Sequence, residues 1–167
     1  AEGAAILDIG GESTRPGHTQ ISSREEIERI VPIVEAVKKH LDIPVSVDTY
    51  KSSVAKAAIE AGADMINDIW GLKADPQMAR LIAKHKVACC LMHNREDTEY
   101  NNFVSDLLKD LRESVDIALK AGIRDDKIIL DPGIGFAKTQ EQNLLAMKHL
   151  GRLQQLGYPI LLGSSRK

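Results

Sequence analysis

Two cysteines are all this chain holds, and they are neighbours, Cys89 and Cys90, inside the apolar run VACCLM. An ordinary disulfide between adjacent residues is strained and no companion ligands flank them, so they read as reduced core thiols of a cytoplasmic protein. A basic excess is missing too. With 22 Lys and Arg against 24 Asp and Glu, the formal charge is -2, which excludes a surface built for nucleic acid or acidic membranes. No apolar stretch approaches the roughly 18 to 20 residues of a membrane span, and the first residues have neither the basic start nor the apolar core of a signal peptide. Zinc and nucleotide signatures are also absent: there is no H-E-x-x-H, no Cys-x-x-Cys and no G-x-x-x-x-G-K-[ST], and in GIGFAK, Lys138 stands where a dinucleotide fingerprint needs its last glycine. G-x-S-x-G is lacking, which argues against a serine hydrolase.

What is present is an alternation. Short β-branched runs (AAILDIGG, IPVSVDT, ADMIND, VACCLMH, KIILDPG, PILLG) are separated by amphipathic stretches, and the runs lack period-2 patterning, as strands buried on both faces do. Ile27, Ile30, Val31, Val34 and Val37 share helical spacing, with Ser23 and Glu26 as the expected capping box and Pro32 as an expected kink. Asp75 and Pro76 are expected to open another helix, Thr139 and Gln142 to box a later one, and Gly62, Gly122 and Gly157 to end helices. No linker interrupts residues 1–167, so a single α/β domain with parallel strands is expected. An open doubly wound sheet competes with a (β/α)8 barrel; the repeated small-residue turn, strand and polar exit favour the barrel. About six of eight strands are present, so the first and last are expected to be missing, with the chain truncated at both ends.

In either architecture, chemistry collects where strands end. The exits carry Asp8, Asp48 with Thr49, Asn67 with Asp68, His93 with Asn94, Asp131 before PGIGFAK, and Ser164 to Lys167. Taken singly, Asp48 also suits a helix cap, Asn67 and Asp68 turn positions, and His93 an ordinary strand end. Together, Asp48, Asn67 and Asp131 form a floor of acceptors for a flat, donor-rich heterocycle. Arg15, Lys138, Arg166 and Lys167 lie on loops nearer the rim, where cations and close-approaching backbone suit an anion.

The blocks DIGGESTRPG, VSVDTYK, INDIWG, LMHN, LDPGIGFAK and LLGSSRK, in this order, resemble the dihydropteroate synthase family of folate biosynthesis along essentially the whole chain. The resemblance implies a barrel transferase that joins p-aminobenzoate to 6-hydroxymethyl-7,8-dihydropterin diphosphate, releases pyrophosphate, uses Mg²⁺ and is blocked by sulfonamides. It implies that Asp48, Asn67, Ile69, Met92, Asp131, Phe136, Gly163 and Lys167 bind the pterin. Thr14, Arg15, Pro16 and Ser165 would contact p-aminobenzoate or diphosphate, and Arg15, Asp48, Asp131 and Lys167 would act in catalysis. The expected metal ligand lies on a strand outside this chain, so no metal-binding residue is expected within it, and the full-length family members imply a homodimer. Little turnover is expected from these residues alone. A methyltransferase-type pterin barrel and a non-catalytic pterin-binding module are the alternatives; STRPG with SSRK argues against the first.

Overall fold

A computed structural model describes residues 3–14 and 19–164. Among them, five strands pair in parallel and in chain order: β1 (Leu7–Gly10), β2 (Val45–Asp48), β3 (Met65–Asp68), β4 (Ala88–Met92) and β5 (Ile128–Asp131). The connections are filled by α1 (Ser23–His40), α2 (Ser52–Glu60), α3 (Met78–His85) and α4 (Phe103–Ala121), and α5 (Gln140–Lys148) and α6 (Leu150–Gln154) follow β5. A doubly wound sheet would reverse its strand order partway. Unbroken sequential order is that of successive barrel units, with right-handed crossovers keeping the helices on one side. The sixth expected run forms one parallel bridge rather than a regular strand: Leu130 pairs with Ile160, and the Leu161 N–H donates to the Leu130 carbonyl at 2.9 Å.

Successive strand residues point to opposite faces, and this sorts the sequence. Val45, Val47, Ile66, Cys89, Leu91, Ile128 and Leu130 face the helices and join Ile30, Val34, Val54, Ile82, Leu107 and Leu111 in one core. The concave face carries the alternate residues: Ser46 and Asp48, Met65 and Asn67, Cys90 and Met92, Ile129 and Asp131. Registry sets Asp48 beside Asn67 and Met92 beside Asp131.

Local chemistry moves several helix boundaries from their expected places. Ser22, not Ser23, caps α1 by accepting from the Glu25 N–H, which frees Glu26 for a buried ion pair. Pro32 lies within α1 without ending it, on its exposed side. Asp75 does not open α3, whose first turn begins at Met78; instead its carboxylate accepts from Gln77 N–H and, across the connection, from Ser52 N–H at the start of α2. The Thr139–Gln142 capping box forms as expected. Gly62, Gly122 and Gly157 have positive φ where helices stop.

Candidate functional site

The concave face brings four of the expected residues together at the strand ends. Asp48 Oδ1, Asn67 Oδ1 and Ser46 Oγ are buried and find no hydrogen-bond partner among the described residues. Unpaired buried acceptors are costly, so a cluster of them is a place for donors that come from outside the fold. Asn67 spends its amide N–H on Asp8 Oδ2 at 3.4 Å, and its acceptor remains open. Burial, with Asp8, Glu26, Asp68 and Glu12 nearby, pushes the Asp48 carboxyl up to about 7. In the ligand-free chain this group therefore takes a proton readily, and partners bearing N–H donors or positive charge favour its ionised form.

Asp131 is buried on β5, and one of its oxygens is already engaged: Oδ1 accepts from the Gly133 N–H at 2.7 Å. Burial raises its carboxyl, opposed by that N–H and by the Lys138 charge. Gly133 has φ +69°, and a Cβ there would lie 2.1 Å from the His93 carbonyl oxygen, so only glycine fits the turn that aims the carboxylate. Its Oδ2 lies toward Gly163, where an added Cβ would meet it at 3.9 Å. Ile69 and Met92 are buried, Phe136 is half-buried in the β5–α5 loop, and Thr14 is half-buried after β1. Arg15, Pro16, Ser165 and Lys167 lie outside the described residues.

Two features went unread in the sequence. Lys51 Nζ donates to Glu12 Oε2 at 2.6 Å, Glu26 Oε2 at 2.8 Å and the Ile21 carbonyl at 2.8 Å, closing a buried cluster over the β1 and β2 exits. Burial alone would raise Glu12; bonds from Lys51, the Ile21 N–H and the Tyr50 hydroxyl hold it down at about 2. Lys51 lies 39 residues from Glu12 and 25 from Glu26 in the chain, with no local pattern to join them. Lys138, expected at the rim, instead turns inward: its Nζ lies 3.0 Å from His93 Nδ1 and donates to the Phe136 carbonyl at 2.9 Å. Asp68 serves the fold, accepting from the Trp70 and Leu72 N–H groups of the next turn.

Outside this floor, an open cleft of about 1020 Å³ runs between the β3 and β4 exits, lined by Trp70, Lys73, Arg95, Tyr100 and Asp110 among others. None of the expected ring-binding residues among those described lines it. Within its lining Arg95 pairs with Asp110, and Lys73 pairs with Glu113 beyond it. No group of three or more His, Cys, Asp or Glu side chains converges among the described residues as a metal site would require. No helix among them is long and apolar enough to cross a membrane.

The family model described as pterin binding enzyme matches residues 1–167. A dihydropteroate synthase of Clostridium beijerinckii is 62% identical over 165 residues, covering 99% of this chain and 61% of its own length. That of Bacillus subtilis is 55% identical over 166 residues, covering 99% and 58%. Among solved structures, dihydropteroate synthase from Clostridium difficile in the presence of pteroic acid superposes with a TM-score of 0.97 at 46% identity, over 99% of this chain and 64% of the other. The Xanthomonas albilineans enzyme in complex with 7,8-dihydropteroate gives 0.91 at 38% identity, over 99% and 60%. The chain thus spans about three fifths of the length of these relatives.

Proposed function

Since the chain belongs to the pterin-binding enzyme family, we propose that its concave face is the pterin site of a dihydropteroate synthase. The observation that carries this reading is the pair of unpartnered buried acceptors, Asp48 Oδ1 and Asn67 Oδ1, standing side by side on adjacent strands. A pterin ring offers in-plane N–H donors of the kind these acceptors lack, and Asp131 adds a carboxylate on the same face. Met92 and Ile69 supply apolar walls for a flat ring.

The reaction replaces the bond from the pterin methylene carbon to the diphosphate oxygen by a bond to the p-aminobenzoate nitrogen. Pyrophosphate leaves with the electron pair, and the amine gives up one proton. Positive charge that builds on the ring during departure is stabilised by carboxylates already fixed beside it, the role of Asp48 and Asp131. Arg15 and Lys167 in catalysis, Lys167, Phe136 and Gly163 at the ring, and Thr14, Arg15, Pro16 and Ser165 at the p-aminobenzoate and diphosphate end complete the proposal; these roles rest on the resemblance to the family. Mg²⁺ belongs to it as companion of the diphosphate. The described residues do not themselves fit a metal site, and no step here runs through one. Sulfonamide sensitivity, a cytoplasmic location and a homodimer are parts of the same proposal.

Calorimetric titration with a pterin alcohol, then with p-aminobenzoate plus pyrophosphate, tests it. Binding in both arms that disappears in Asp131→Ala and Asn67→Ala is expected. Pterin affinity unchanged in both variants overturns the floor assignment, and pterin binding without the second arm favours a binding module.

A further inference from the structure

Lys138 has three acceptors around its Nζ and no free donor left. They are His93 Nδ1 at 3.0 Å, the Phe136 carbonyl at 2.9 Å and the His93 carbonyl at 3.4 Å. The far nitrogen of the imidazole, Nε2, meets Asp110 Oδ2 at 3.1 Å, and that same oxygen accepts from Arg95 Nε at 2.7 Å. Bonds from His93 and Arg95 overcome burial and hold Asp110 well below the usual carboxylate range. An ionised carboxylate only accepts, so Nε2 carries a proton and Nδ1 is free to accept from the ammonium. The chain Arg95–Asp110–His93–Lys138 therefore ends inward on an ammonium that burial pulls down to about 7, so that it is charged below that pH. That charge faces Asp131: a Cβ at Gly133, whose N–H holds Asp131 Oδ1, would lie 3.3 Å from the lysine Nζ. The Lys138 end of this arrangement points inward, while Arg95 at the other end lines the open cleft.

We propose that Lys138, oriented by His93, is a positioning residue that keeps Asp131 in its carboxylate form and so able to accept from the ring. The proposal deepens the pterin-site reading and rests on it for its functional meaning. Physically it answers a conflict: the ring needs an ionised acceptor in a buried place, and burial opposes ionisation. The groups facing the pair are Asp131 on β5, Cys90 on β4 with Asp8 and Asp48 beyond it, His93 after β4, Arg95 in the next loop and Asp110 on α4. Among the described residues, only Lys138 and the Gly133 N–H favour the charged form of Asp131. A simple staple for the loop would need the hydrogen bonds of Lys138 but not its charge.

The test is a ligand-free titration of the Asp131 carboxyl carbon by ¹³C NMR, assigned with Asp131→Asn. Lys138→Met is expected to raise its midpoint by about 1 to 2 pH units, Lys138→Arg to leave it nearly unchanged, and His93→Gln to give an intermediate rise. A midpoint unmoved in Lys138→Met, with the fold intact by amide spectra, overturns the proposal. Where that variant fails to fold, the unaltered chain decides: the Asp131 signal must show a second inflection at the pH at which the Lys138 ammonium titrates, and its absence overturns the proposal. Pterin affinity of Lys138→Met should fall about ten-fold at the acid end and recover toward alkaline pH; a pH-independent fall overturns it as well. Because the titration needs no ligand, loss of the pterin reading and loss of this one are separate results.

Discussion

Polar groups are treated in opposite ways on the floor of the sheet and around its rim. On the floor, Asp48 Oδ1 and Asn67 Oδ1 are buried without partners among the described residues, and burial together with neighbouring acids pushes the Asp48 carboxyl up to about 7. At the rim, ion pairs close on themselves: Lys51 between Glu12 and Glu26, and Arg95 on Asp110, which also accepts from the neutral His93 ring. The rim ions are paired as folded, whereas among the described residues the floor acceptors are left open. The contrast teaches that buried polarity by itself does not mark a binding site; the imbalance of donors and acceptors does.

The largest effect should come from the rim. Lys51→Met leaves Glu12 and Glu26 buried without their cation and should destabilise the chain by about 3–5 kcal/mol, read by urea unfolding at pH 7. If stability is unchanged, the cluster is ornamental and the contrast fails. Gly133→Ala drives a side chain into the His93 carbonyl and should cost about 2–4 kcal/mol, with loss of pterin binding in the same sample.

Asp48→Asn should act in the reverse direction. A carboxyl whose folded value is raised above its ordinary one holds its proton more tightly when folded, so its charge costs stability as pH rises from about 4 to about 7 and fully above that. The amide should therefore stabilise the ligand-free chain by about 1–2 kcal/mol at pH 8, with little change at pH 4, while pterin affinity drops. Thermal melts at the two pH values check the sign; a loss of stability at pH 8 would mean that the acceptor is satisfied after all. Smallest of all, Arg24→Ala removes an exposed pair with Glu28 on α1 and should shift stability by about 0.5 kcal/mol or less.

Much of this was legible in the sequence, and what was not has a common cause. Runs of β-branched residues between helical spacings give the parallel order, and polar exits such as Asp48, Asn67 and Asp131 point to one face because strand geometry repeats every two residues. Local signals were misread where a residue had a better distant partner. Glu26 leaves a cap for Lys51, and Asp75 bonds across to α2. Lys138 looked like a solvated loop cation, since nothing near it in the chain announces His93, 45 positions earlier. The PILLG run had the composition of a strand, yet Leu130 of β5 is its only bridge partner among the described residues.

Cys89 and Cys90 sit on opposite faces of strand β4, both fully shielded. Burial pushes the Cys89 thiol up to about 12 and the Cys90 thiol well above its ordinary value, so neither reacts while the sheet is closed. One thiol reports from the helix side and the other from the substrate side. Alkylation followed by mass spectrometry would thus time two kinds of opening from a single pair of atoms. Labelling of Cys90 alone would record loosening of the floor, labelling of both would record unfolding of the sheet, and neither requires a foreign probe.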